Sequence, residues 1–158
     1  MLIRPATADD ILAMTRLADS SPTAAHWTPE QYRRVFALDA PRRAIWVIQG
    51  DAEEGVGDSN ERNLQAFLVA QEVAGEWEVE NIVVDKRMQR QRLATRLLTE
   101  LKDVARVERA SAIFLEVRES NHEARAFYRS RGFSPTGRRA RYYSDPDEDA
   151  ITYRLQLA

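Results

Sequence analysis

Residues 85–101 read DKRMQRQRLATRLLTEL, and the fold turns on this stretch. Its second half sets Leu93, Leu97, Leu98 and Leu101 at helical spacing, a stripe that Val104 and Ala105 extend. Its first half follows an apolar strand pattern, Ile82, Val83 and Val84, and carries Arg87, Arg90 and Arg92. A strand that runs straight into an arginine-rich helix start is a candidate anion site. The first N–H groups of a helix have no intrahelical partner, and the dipole favours negative charge there. The alternative is a solvated basic helix start. The turn is no P-loop, since Gly-Lys-Ser/Thr is missing. It is no dinucleotide fingerprint either, since the stretch has no glycine. That absence raises a question at Arg92. Glycine is needed where φ is positive or where a side chain would strike the ligand. We expect a turn already helical at Arg92, which an arginine backbone accepts, with the guanidinium outward or on a phosphate; the alternative is a ligand packed against that Cα, where Arg92 would clash and weaken binding.

The 158 residues suffice for one domain, 1–158, with a sizeable core. The hydrophobic fraction of 44% and charged fraction of 30% are ordinary for a globular chain. A net charge of -2 removes any bulk argument for nucleic acid or an anionic membrane as partner. With no cysteine, disulfides, thiolate metal sites and a cysteine nucleophile are excluded, and a reducing compartment suits the chain. The N-terminus MLIRPATADD has no apolar core of the kind a signal peptide carries. No apolar run approaches the roughly 18 residues of a membrane span. The expectation is a soluble cytoplasmic protein; nothing in the sequence signals an oligomeric state.

Elsewhere the order is mixed α/β. LIRPAT starts extended, because Pro5 keeps Arg4 out of the helical region. Thr7 and Asp10 cap a helix over 8–19, and Thr28 with Pro29 opens a second over PEQYRRVFAL. RAIWVIQG and LQAFLVAQEV read as a hairpin with a long, mobile tip, DAEEGVGDSNERN. EWEVENIVV alternates, with Trp77, Val79 and Asn81 on one face and Glu76, Glu78 and Glu80 on the other. SAIFLEVRE is a strand, NHEARAFYRS a short helix that Gly132 ends, and ITYRLQL the last strand. The segment RRARYY leads into the turn SDPDED. This gives six strands and four helices.

Two further features carry possible chemistry. Glu116 lies in an apolar strand between Leu115 and Val117. A carboxylate there needs a cleft or a partner, such as Arg118 or Arg125. In SNHEARAFYRSRGF, Asn121 is a helix cap whose amide also suits a ligand. Tyr128 is either core or a general acid.

Together, ENIVV, QRQRLATRLL, IFLEVRESNHEARAFYRSRGF and RYYSDPDEDA resemble the GNAT superfamily of acetyl-CoA-dependent N-acetyltransferases, and within it the RimI-like branch. AHWTPEQY resembles that branch's substrate-side loop. The resemblance implies an α/β (α+β) GNAT fold: a mostly antiparallel central sheet flanked by helices, with splayed strands forming the acetyl-CoA cleft. It implies that the turn Gln89, Arg90, Gln91, Arg92, Leu93 and Ala94 binds the coenzyme pyrophosphate, with Arg92 where the family has glycine. Ile82, Val83 and Val84 would lie along the pantetheine arm and Asn121 would contact the cofactor. Glu116 matches the branch's base and Tyr128 its acid.

The branch acetylates the N-terminal alanine of a small-subunit ribosomal protein, so the implied partners are acetyl-CoA and such a peptide N-terminus. Trp27, Glu80, Tyr142 and Tyr143 are the implied substrate-side residues, and Glu80 is also a rival base. Glu78, Asp145, Asp147, Glu148 and Asp149 are candidate acids for a basic peptide, whereas Arg138, Arg139 and Arg141 would repel it unless they pair with the acidic turn. No metal and no covalent nucleophile are required, so direct transfer in a ternary complex is expected. Another amine acceptor, a lysine or a polyamine, and a non-catalytic domain that has lost cofactor binding or keeps it only to sense acetyl-CoA are the alternatives.

Overall fold

The computed structural model describes residues 1–51 and 63–157. The acidic tip expected at 51–63 lies, apart from its two ends, outside the described residues. The chain forms two compact units, Met1–Gln71 with Glu80–Leu101 and Glu72–Val79 with Lys102–Ala158.

The first unit holds β1 (Leu2–Pro5), α1 (Ile11–Asp19), α2 (Pro29–Val35), β2 (Arg43–Gln49), most of β3 (Leu64–Val73), the end of β4 (Glu76–Val84) and the start of α3 (Leu93–Val107). β1 pairs antiparallel with β2, and β2 with β3. The core gathers Met14, Leu17 and Ala18 of α1, Tyr32 of α2, and Val47, Phe67, Val69 and Val83 of the strands. The helix expected over 8–19 begins as a 3-10 turn at Ala8–Asp10. Asp10 is fully buried there, and its charge is met by Arg4 through two bonds of 2.8 Å and by the Thr7 N–H at 2.8 Å. At Thr28 the capping box is complete. The Thr28 hydroxyl accepts from the Gln31 N–H, and the Gln31 side chain accepts from the Thr28 N–H. α2 stops at Val35, short of the expected end, as Phe36 and Ala37 bond only three residues back, to Arg33 and Arg34.

The second unit holds the start of β4, the end of α3, β5 (Ala112–Arg118), α4 (His122–Ser130), β6 (Ser134–Tyr143) and β7 (Glu148–Gln156). β5 and β6 both pair antiparallel with β7. β4 and β5 pair in parallel at Trp77↔Ile113 and Glu78↔Phe114. The strand order is β1-β2-β3-β4-β5-β7-β6, mostly antiparallel, as expected for the fold class.

Among the described residues, seven strands replace the expected six. RRARYY is no lead-in but part of the ten-residue edge strand β6. Nine of its ten residues are exposed, so it has no buried face to write an alternating pattern into the sequence. The β3–β4 hairpin turns through Ala74 and Gly75, both at positive φ, which suits the twist of the flanking strands. On β4 the face of Trp77, Val79, Asn81 and Val83 is buried, as the alternation indicated. The stripe of α3 is likewise buried at Leu93, Leu97, Leu98, Leu101 and Ala105. Gly132 follows α4 at φ +95°, a conformation that suits glycine.

Candidate active site

In the first unit, Lys86–Met88 forms a 3-10 turn capped by Asp85. The Asp85 carboxylate accepts from the Arg87 N–H at 2.9 Å and binds the Arg87 guanidinium at 2.8 Å. That guanidinium holds the Asp85 carboxyl below its ordinary range. Arg87, expected to face an anion, is therefore already engaged.

The expectation at Arg92 is overturned. Its φ is +61°, and that of Arg90 is +64°, so two arginines take the left-handed conformation usual for glycine. Arg92 is not in the helix. Its carbonyl accepts from the Arg96 N–H at 3.0 Å, and α3 starts at the next residue, the buried Leu93. Gln89, Arg90, Gln91 and Arg92 are exposed and Ala94 is half-buried. The N–H groups of Leu93, Ala94 and Thr95, the first turn of α3, have no intrahelical acceptor. A run of open N–H groups at the start of a 15-residue helix, flanked by two exposed cations, suits a pyrophosphate.

Just before this turn, Val83 is buried while Ile82 and Val84 are half-buried. The Asp85 N–H donates to Gln65 of β3 at 2.8 Å. Strand alternation then turns the Val83 N–H toward β3 as well, and the Val84 N–H away from it.

Also in the first unit, Trp27 packs against Tyr32 at 5.2 Å, with the Arg43 guanidinium 5.9 Å from its ring centroid. Burial pushes the Tyr32 phenol up to about 12. Arg43 clamps both oxygens of Glu80, at 2.9 and 3.2 Å. Glu80, the rival base, is thus held in an ion pair, as Glu116 is. Trp27, Gln31, Arg34 and Arg43 line a pocket of about 510 Å³. The sequence reading missed the job of Asn81, which is 6% exposed. Its amide bonds both the N–H and the carbonyl of Ala25, at 3.3 and 3.0 Å, and so fastens the loop that leads to Trp27. A polar residue on the apolar face of β4 was the available signal.

In the second unit, Glu116 of β5 pairs with neither Arg118 nor Arg125. Its partner is Arg139 of β6, 2.9 Å away. The Glu116 side chain is 12% exposed and that of Arg139 is 61%. Arg139 also lies 5.2 Å from the Tyr142 ring centroid, and Tyr142 meets Tyr143 edge-on at 5.1 Å. Burial first, then the Glu116 charge, raises both tyrosines, Tyr143 to about 12. Tyr128 is buried on α4 between Phe127 and Phe133, and burial pushes its phenol well above the ordinary value. Its hydroxyl has no hydrogen-bond partner among the described residues. Glu116, Tyr142, Tyr143 and Tyr128 are thus brought together.

The three arginines of β6 have separate tasks. Arg138 binds Glu119 and Asp149, each at 2.8 Å, and the Arg141 N–H donates to Asp149. Arg118 lies 4.4 Å from the Tyr143 ring centroid and reaches Glu148 and the carbonyls of Ser144 and Pro146. Glu148 also accepts from the Ser120 N–H. Glu148 and Asp149 therefore brace the turn, while Asp145 and Asp147 are exposed. Asn121 caps α4 with its oxygen on the Ala124 N–H, which leaves its amide hydrogens available. Among the described residues no group of three or more His, Cys, Asp or Glu is placed to hold a metal ion, and no helix is long and apolar enough to cross a membrane.

The family model described as "Acetyltransferase (GNAT) family" matches residues 11–133, most of the chain. The chain belongs to the GNAT acetyltransferase family. One GNAT relative is the [Ribosomal protein bS18]-alanine N-acetyltransferase of Escherichia coli K12, 39% identical over 128 residues, 80% of this chain and 86% of that one. Another is the N-alpha-acetyltransferase RimI of Mycobacterium tuberculosis H37Rv, 46% identical over 79 residues. That match spans 50% of this chain and only 48% of the relative's length. Among solved structures, the ribosomal-protein-S18-alanine N-acetyltransferase of E. coli superposes with a TM-score of 0.80 at 28% identity, covering 99% of this chain and 94% of that one.

Proposed function

We propose that this GNAT protein is an acetyl-CoA-dependent N-acetyltransferase that acts on a protein N-terminal α-amine, most specifically the N-terminal alanine of a small-subunit ribosomal protein. The observation that carries the reading is Glu116, a largely buried carboxylate whose charge is felt by Tyr142 and Tyr143, in a chain 39% identical to a bS18-alanine N-acetyltransferase; the resemblance gives it the role of base. Both compact units work as one catalytic domain over 1–158, and its setting is the cytoplasm.

Acetyl-CoA supplies the acetyl group as an activated thioester. The N–H groups of residues 89–95 hold its pyrophosphate, with Arg90 and Arg92 adding charge. Ile82, Val83 and Val84 lie along the pantetheine arm, and the Asn121 amide donates to the cofactor. The Val84 N–H, turned away from β3, is available to the thioester carbonyl oxygen. An α-amine has a pKa of about 7.7–8.0, so part of it is already neutral near pH 7. Glu116, directly or through water, takes the proton that the amine loses. Tyr128, protonated at neutral pH as any phenol is, donates toward the departing thiolate. Trp27, Glu80, Tyr142 and Tyr143 shape the acceptor side.

The test is an acceptor panel read by mass spectrometry: an alanine-first, arginine-rich peptide, the same peptide blocked at its N-terminus and carrying a lysine, and spermidine. Acetylation of the alanine-first peptide well ahead of the others is expected. A preference for lysine or spermidine would move the assignment to another amine, and no transfer to any acceptor would leave a domain that only binds acetyl-CoA.

A further inference from the structure

The ion pair on Glu116 is unequal. The carboxylate is nearly buried and the guanidinium on it is mostly in solvent. Arg139 sits in the row Arg118↔Ala150↔Arg139 across β5, β7 and β6, two residues along from the row Glu116↔Thr152↔Gly137. Residues two apart on a strand share a face, so Arg139 reaches back over β7 to the carboxylate. Just beyond Arg139 the register with β7 shifts, with Arg141 at φ +51°. That bulge sets Tyr142 beside the Arg139 guanidinium. Arg138 and Arg118 are each fixed by several partners, whereas Arg139 has one ion partner among the described residues. Arg139 can therefore swing into solvent without moving backbone.

We propose that Arg139 is a displaceable occupant of the acceptor-amine subsite, a guanidinium that holds the place of the substrate ammonium on Glu116 until a cationic amine replaces it. This rests on the reading of Glu116 as the base. An unpaired, nearly buried carboxylate is unfavourable, and Arg139 satisfies it between turnovers. An acceptor must then compete with Arg139, which favours one that arrives as an ammonium and disfavours neutral nucleophiles. Arg139 is thus a specificity-determining residue, and the tyrosine beside it gives the displaced guanidinium an aromatic face to remain on.

The experiment measures steady-state kinetics of the alanine-first peptide with unmodified protein, Arg139→Ala and Arg139→Lys, and adds millimolar guanidinium chloride to each. Arg139→Ala is expected to lower the peptide KM about fivefold, the scale of a partly exposed ion pair, with kcat within about twofold. Guanidinium should raise the KM of Arg139→Ala competitively and leave the unmodified protein unchanged. Arg139→Lys, which keeps a cation, should resemble the unmodified protein. An unchanged or higher KM in Arg139→Ala, or a large fall in kcat, overturns the placeholder and makes Arg139 a residue that positions Glu116, while turnover of the unmodified protein leaves the acetyltransferase reading standing. No turnover in any of the three proteins overturns that reading, and the placeholder with it.

Discussion

The turn at residues 85–94 and the carboxylate site around Glu116 solve opposite problems by opposite means. The turn offers backbone donors, with Arg87 held by Asp85 and only the exposed Arg90 and Arg92, on left-handed backbone, adding side-chain charge. The carboxylate site offers side chains gathered from β5 and β6, with Arg139 and Tyr142 brought to Glu116 by the edge strand. A backbone site tolerates a change of side chain provided the conformation survives. A side-chain site does not. On the proposed reading, arginine can therefore stand at position 92, where the resemblance puts glycine, whereas the base role of Glu116 needs its carboxylate.

The largest expected effect falls on the side-chain site. Glu116→Gln should lower kcat/KM by about a hundredfold or more, the contribution of a positioned base, while acetyl-CoA affinity stays the same. Asn81→Ala comes next. It strips two bonds from the Ala25 backbone, so thermal or denaturant unfolding should show a loss of about 1–3 kcal/mol, together with a higher peptide KM as the Trp27 loop loosens.

At the turn, two substitutions of Arg92 should part company. Arg92→Gly keeps the positive φ and should leave acetyl-CoA affinity within about threefold and Tm unchanged or slightly higher. Arg92→Val resists that conformation and should lose about 1–2 kcal/mol of stability, with weaker coenzyme binding. Equal behaviour of the two variants would show that conformation at Arg92 does not matter.

The smallest effect concerns acid. Glu119, Glu148 and Asp149 are all held below their ordinary pKa values. Arg138 is the main cause for Glu119, the Ser120 bond for Glu148 and the Arg141 N–H for Asp149. A depressed folded-state pKa means stabilisation that is present above the unfolded value, about 4, and lost as pH falls through the lower folded value. Hydrogen-exchange protection of β6 and of residues 144–149 should therefore fall below about pH 4, while the core of the first unit stays protected.

The two sites also differed in how far the sequence exposed them. The turn is short-range, so its placement between a strand and a helix was legible from Ile82 to Leu101. Its dihedral angles were not, because an αL arginine leaves no mark in composition. Glu116 was legible as an odd carboxylate in an apolar strand, and Tyr128 and Asn121 by their place after it. Arg139 as its partner was invisible. That pairing crosses β7 and depends on β6, whose exposed residues carry no periodic signal. The face of β4 was read in full except for the meaning of Asn81, whose partner lies 56 residues away.

The most direct test of the account is a calorimetric titration of the unmodified protein with acetyl-CoA, alongside Arg92→Gly. The glycine-free turn predicts near-stoichiometric, micromolar binding in both proteins. No binding by the unmodified protein, restored in Arg92→Gly, would contradict it, because arginine at this position would then block the site rather than preserve its backbone.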